Sequence, residues 1–234
     1  MPSPRPKNVH GQVVDAIGAR IVSGEFAEGA QLPTEPQLAE SLGASRLLIR
    51  EAMKVLEAKG LVAIRPRTGT RVCPRHEWNL FDAAVLGWHS VTVTDPQLVD
   101  NLMELRRTIE PVAAKLAAER RSAEDVKVLQ ATFSAMQDAV SHAAYLEADL
   151  AFHSAVLQAC GNPFIRQLSG ALSEVLKASF HASSDPWGPD ARALALHKAL
   201  LDAIVARTPA AADEAVQALI ARAQQRIRKG RRSV

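Results

Sequence analysis

Asp149 and His153 stand four residues apart inside the apolar run Leu146, Leu150, Val156 and Leu157. On a helix that spacing stacks both side chains on one face, here the face that apolar neighbours would bury. Ionisable groups taken into a core are costly unless they are paired or bound to a metal. His197 sits in the same way among Leu194, Leu200, Leu201 and Ile204, and Arg106 flanks Leu102, Ile109 and Ala113. One carboxylate, two imidazoles and one guanidinium could thus converge inside a helical bundle and hold a metal or an anion. The same spacings allow a plain Asp–His hydrogen bond with His197 elsewhere in the core. Spacing by itself favours that plainer arrangement.

A second set of charged residues has a different chemistry. Arg46 and Arg50 are four apart and follow Ser45. On a helix they share a face opposite the buried stripe of Leu48 or Ile49, Ala52, Met53 and Leu56. An arginine fork can bond a guanine edge or clamp a phosphate. Ser45 can cap the helix and donate its hydroxyl to phosphate. Arg65, Arg67 and Arg71 decorate a short basic hairpin just downstream. A solvated basic face is the bland alternative.

The elements that must carry these groups are legible. Val13, Val14, Ile17 and Ile21 give a helix over 9–22, and Gly24 stops it. Thr34 is the expected N-cap of a helix with Pro36 in its first turn, ended by Gly43. Ser45 opens the next helix, which Gly60 stops. Two short strands, 62–64 and 70–72, flank a turn with Pro66 and Gly69. Helix, tight turn, helix and basic hairpin in that order predict a winged helix-turn-helix over residues 1–75. From residue 76 to 234 only helices are expected, the first over 80–88. Asp95-Pro96 opens a long one, Ser122 to Asp125 resembles a capping box, and Asn162-Pro163 opens another after Gly161. The stretch 183–189 reads as a loop. The last helix ends at Gly230, and Arg226 to Arg232 reads as a solvated basic terminus. The fold class is mainly α: the winged domain plus an all-α antiparallel bundle of six or seven helices.

Bulk properties agree. Hydrophobic residues make up 47% of the 234, enough for buried cores, while aromatics are only 4%, which favours helix packing. Residues 1–75 carry a net charge of +4 and residues 76–221 carry −7. A basic head on an acidic body suits a polyanion-binding domain joined to something else. Cys73 and Cys160 are isolated, which fits a reducing cytoplasm. No apolar run approaches the ~18 residues needed to span a bilayer, so no membrane partner is expected.

Residues 32–72 closely resemble the DNA-binding domain of GntR regulators. Leu32, Pro33, Thr34, Glu35, Leu38, Ala39, Gly43, Ser45, Arg46, Arg50, Ala52, Leu56, Gly60 and Leu61 carry the resemblance. It implies a DNA-contacting surface of Thr34, Glu35, Ser45, Arg46, Arg50, Arg65, Arg67 and Gly69. Pro36 replaces a family arginine that contacts DNA, and Leu47 and Leu48 replace a usual polar or proline pair. Residues 80–228 are similar to the FCD domain, the helical effector domain of the FadR branch. The markers are Arg106, Glu110, Asp149, His153, Gly161-Asn162-Pro163 and His197.

That resemblance implies a homodimer on an inverted-repeat operator in double-stranded DNA, released by a small carboxylate such as a galactonate-like sugar acid. It implies a divalent metal (zinc, nickel or manganese) on Asp149, His153 and His197. The family's third histidine falls at Arg222, which becomes a candidate effector contact together with Arg106 and Trp187. Trp78 and Trp88 are expected to pack the bundle against the DNA-binding domain. Two other functions stay in view: a metal-free acyl-CoA sensor of the same branch, and a metal-dependent hydrolase. The hydrolase lacks a phosphate loop, a nucleophile elbow and a His-Glu-x-x-His run, so no enzyme is expected.

Overall fold

The computed structural model describes residues 9–91, 96–181 and 191–232. The chain divides into two compact units, Met1–Thr92 and Val93–Val234.

The first unit is built on three helices, α1 (Val9–Val22), α2 (Glu35–Leu42) and α3 (Arg46–Ala58). Helix α2 starts where the Thr34 backbone N–H donates to Gln37 Oε1 at 2.9 Å. It ends at Gly43, whose φ of 59° lies in the left-handed region that only glycine adopts without strain. That turn sets the angle between α2 and α3. Helix α3 is capped by Ser45, whose hydroxyl accepts the Leu48 N–H at 3.2 Å. It buries Ile49, Ala52, Met53 and Leu56 against Ile17, Ile21 and Leu38. Ile49, not Leu48, is the buried member of the expected pair. Strands β1 (Val62–Arg65) and β2 (Gly69–Val72) pair antiparallel with Val62 opposite Val72 and Arg65 opposite Gly69. The Ile64 N–H donates to Glu57 Oε1 at 2.9 Å, which ties this wing to α3.

The boundary expected at 75/76 lies instead at 92/93, because a fourth helix, α4 (Ala83–Val91), packs with the first unit. Its start is moved from residue 80 to 83 by Asp82, whose Oδ1 accepts the N–H groups of Ala84 and Val85. Trp88 lies against Gly18 so closely that a Cβ there would meet the indole at 2.5 Å. Its ring N–H donates to Asp15 Oδ1 at 3.1 Å. The Trp78 N–H donates to the Cys73 carbonyl at 2.9 Å. Both tryptophans therefore belong to the core of the first unit.

Asp82 also pairs with Lys59 Nζ at 2.5 Å, across from the end of α3. Burial raises its carboxyl, but the Lys59 bond and the two backbone N–H groups outweigh that and hold it below the usual carboxylate range. Its contribution is present above the unfolded pKa, about 4, and is lost as pH falls through the lower folded value. Asp82→Ala should cost the first unit about 1 kcal/mol at pH 7. Thermal unfolding should show the gap to the unmodified protein closing in acid, and a gap constant down to pH 3 would contradict this.

Among the described residues the second unit has seven helices: α5 (Pro96–Arg120), α6 (Ala123–Gln137), α7 (His142–Ala159), α8 (Pro163–Gln167), α9 (Ser169–His181), α10 (Ala191–Val205) and α11 (Pro209–Arg232). Ser122 and Asp125 form the expected reciprocal cap of α6, and Asn162 caps α8. Helix α5 packs on α11, α11 on α10, and α6 on α7. Ala114, Ala117 and Ala118 let α5 approach its neighbours closely around Leu129, Phe152 and Leu200.

Two arginines fix the height of α5 against α10. Arg207 turns back at φ 55° and donates to the carbonyls of Glu119 and Arg121 at the end of α5. Arg121 donates to Ile204 and Val205 at the end of α10. Each satisfies the orphan carbonyls of the other helix. Helix α11 runs through Gly230 to Arg232, so the basic end is helical. Asp95 and Trp187 lie outside the described residues. No helix among the described residues is long and apolar enough to cross a membrane.

Candidate functional site

Helix α7 presents Tyr145, Asp149 and His153 at successive i+4 steps, all buried. Helix α10 brings His197, and α5 brings Arg106 and Glu110, also buried. His197 Nε2 is 3.0 Å from Asp149 Oδ1 and 3.4 Å from His153 Nε2. His197 is thus part of the Asp149–His153 cluster, and the plainer arrangement with His197 elsewhere does not occur. The three candidate ligand atoms all fall within 4.8 Å of one another.

The groups behind the histidines set their tautomers. His197 Nδ1 faces the Ala193 carbonyl at 2.8 Å. A carbonyl only accepts, so Nδ1 carries the proton. His153 Nδ1 lies 3.5 Å from the Glu110 carboxylate, an ion-pair contact rather than a hydrogen bond, and that negative charge favours the proton on Nδ1. Glu110 is held in turn by Arg106 Nε at 2.6 Å. Both Nε2 atoms then face each other, and that of His197 also faces the Asp149 carboxylate. Electron-pair donors at such distances repel unless a cation sits among them. A proton on His197 Nε2 relieves the Asp149 contact alone, whereas a metal relieves all three. Edges of 3.0 and 3.4 Å also match a coordination shell with metal–ligand bonds of about 2.1 Å.

Electrostatics point the same way. Burial pushes the His153 imidazole down, against the pull of Asp149 and Glu110, so it is neutral at pH 7 and can ligate. Burial pushes the Asp149 carboxyl up, but the His197 ring against it, with His153 and Arg106 nearby, outweighs that and holds it below the usual carboxylate range.

The cluster opens on a cavity of about 70 Å³, room for several water-sized groups. Arg106 and Arg222 line it, and so do Tyr145, Leu176, Leu219 and Arg226. Arg226 is a correction: it faces the bundle interior on α11 and is no solvated terminus. Leu219, Arg222, Ala223 and Arg226 follow an i, i+3, i+4, i+7 spacing, a signal that was present in the sequence. Tyr145, one turn before Asp149, carried the same kind of signal. Glu110 gave none of its own, because its role depends on α5 meeting α7.

The first unit gathers the other candidates. Thr34, Ser45, Arg46, Arg50, Arg65, Arg67 and Gly69 are exposed, and Glu35 is half-buried. Arg50 donates through Nη2 and Nε to Glu35 at 3.0 and 3.3 Å, which ties α3 to α2. Arg67 is at the wing tip with φ 66°, a strained conformation for a residue with a side chain. Arg71 is turned away from the tip, donating to the Gly29 carbonyl.

Residues 10–72 match the family described as bacterial regulatory proteins, gntR family, and residues 101–222 match the FCD domain. The galactonate operon transcriptional repressor of Escherichia coli K12 is 35% identical, over 93% of this chain and 96% of that one. The uncharacterised HTH-type regulator YieP of the same organism is 34% identical, over 92% and 93%. Among solved structures, a GntR protein of Streptococcus agalactiae is 27% identical with a TM-score of 0.50, covering 92% of this chain and 99% of that one.

Proposed function

The chain belongs to the GntR family of bacterial regulatory proteins and carries an FCD domain, and from that membership we propose that it is a dimeric repressor released from its operator by a sugar acid held on a divalent metal. The family is one of transcription regulators, not enzymes.

One recognition helix, α3, enters the major groove of each half-site of an inverted repeat. Arg46 and Arg50 read base edges or phosphate, and the wing residues Arg65, Arg67 and Gly69 follow the backbone. Thr34 and Ser45 serve as helix caps with hydroxyls near phosphate. In the second unit Asp149, His153 and His197 hold the metal. The metal supplies a Lewis-acid seat for a carboxylate and its adjacent hydroxyl. Glu110 and the Ala193 carbonyl keep both imidazole lone pairs turned toward it. Arg106 and Arg222 add positive charge to the wall. The observation that carries this reading is the convergence of two imidazole lone pairs and a carboxylate on one buried point.

The galactonate repressor's name is what directs the choice of acid. A metal-free acyl-CoA sensor would need a long apolar tunnel and no such ligand set. The effector acts only through its differential affinity for DNA-competent and DNA-incompetent states, typically ~1–3 kcal/mol. The test is a mobility shift with the chain's own promoter fragment, titrated with hexonates with and without chelator. Operator release by a hexonate that chelator prevents is expected. Unchanged shifts and unchanged melting temperatures throughout would overturn the reading.

A further inference from the structure

The wing is held at its second edge as well. Residues 29–32 run alongside β2. The N–H groups of Gly29 and Leu32 donate to the carbonyls of Val72 and Thr70 at 3.0 and 2.9 Å, and the Val72 N–H donates to the Ala30 carbonyl at 3.0 Å. Gln31 thereby stands antiparallel opposite Arg71. Its side chain continues to the turn, where Nε2 donates to the Thr68 carbonyl at 3.2 Å, 37 residues away along the chain. The amide also lies against Gly69, where a Cβ would meet Nε2 at 2.8 Å. Gly69 has φ 84°, and Arg67, one residue before Thr68, has φ 66°.

A residue with a side chain keeps a left-handed φ only where its surroundings hold it there. A change of φ at Arg67 reorients the peptides that follow it, and the Thr68 carbonyl would then leave the Gln31 amide. Gly69 offers no slack, because it is paired in the ladder opposite Arg65. We propose that Gln31 is a positioning residue for the wing: it locks the 67–69 turn in the form that presents Arg67 to DNA. Gln31 acts through Arg67 and makes no DNA contact of its own. This rests on the reading of the preceding section, in which Arg67 and Gly69 follow the DNA backbone, and adds the residue that places them. A turn already held in its bound form pays no ordering cost when DNA arrives.

The experiment is a double-mutant cycle on operator affinity, with the full chain and its own promoter fragment. Gln31→Met keeps the length of the side chain and removes the donor. It should weaken operator binding by about three- to tenfold when Arg67 is present, and leave it unchanged in the Arg67→Gly background. The melting temperature should hardly move, because losing the bond and relieving the strain at Arg67 oppose each other. A loss of equal size in both backgrounds would mean a direct Gln31–DNA contact or a general loosening of the wing. That result, or unchanged affinity of Gln31→Met with Arg67 present, would overturn the positioning role and leave the wing on the DNA backbone. No preference of the unmodified chain for its operator over random duplex, or full affinity in Arg67→Gly, would overturn the wing reading and the positioning role together.

Discussion

His153→Ala is expected to lower metal affinity by two to three orders of magnitude while leaving operator binding by the effector-free protein nearly unchanged. The protein offers three ligands, so losing one removes a third of its donor set and exceeds the ten- to hundredfold usual for a partner behind the ligands. The substituted residue and α3 belong to separate compact units, and no residue of the DNA-reading face is altered. Induction should fail because the carboxylate loses its seat. The alanine also removes a buried ring and leaves Glu110 facing space, which destabilises the bundle. Glu110→Gln controls for that. It keeps the volume and every ligand but turns one carboxylate oxygen into an amide donor and removes the negative charge that faces His153 and Arg106. Its metal affinity should fall by about ten- to hundredfold. Metal content after dialysis and melting with and without chelator read both variants. Full metal content in His153→Ala would remove that residue from the site.

How much of this was legible depended on how local the signal was. Helix caps are read from a few neighbouring residues, so Thr34, Ser45, Ser122 and Asn162 could be placed from the sequence. The i+4 spacing likewise put Asp149 with His153, and Arg46 with Arg50. Contacts between helices distant in sequence are not encoded in spacing. Nothing local says that Glu110 meets His153, or that His197 Nε2 lies 3.0 Å from Asp149. The resemblance to a family supplied the His197 pairing, and the structure supplied Glu110. The misread parts have a physical cause as well. Helix α4 has too few residues to declare its partner, and Gly18 with Trp88 decides it through a close approach that no periodicity shows. Arg226 was assigned to a basic tail by composition, which counts charges without asking which helical face they occupy.

Arg50→Ala should weaken operator binding roughly ten- to hundredfold and relax the choice of base at one position in each half-site, if its fork reads a guanine edge. The fold should tolerate it. The Arg50–Glu35 pair is exposed, and exposed pairs add little to stability. What Glu35 does instead is hold the guanidinium in place before DNA arrives, at the junction of α2 and α3. Glu35→Ala should therefore cut specificity more than affinity, because it frees Arg50 and also removes a negative charge that repels phosphate. Arg67→Gly supplies the contrast. It relieves the φ of 66° at the wing tip and should raise the melting temperature. It also deletes one cation at the backbone, so the slope of log affinity against log salt should fall by about one, equally for all sequences. Binding measured on a set of half-site variants at several salt concentrations separates the two residues. A base reader changes the ranking of sequences, and a phosphate contact changes only the slope. Should Arg50→Ala lower the slope while the ranking survives, base readout would pass to Arg46 and the exposed Leu47 beside it, whose side chain is 67% accessible and chemically suited to a thymine methyl.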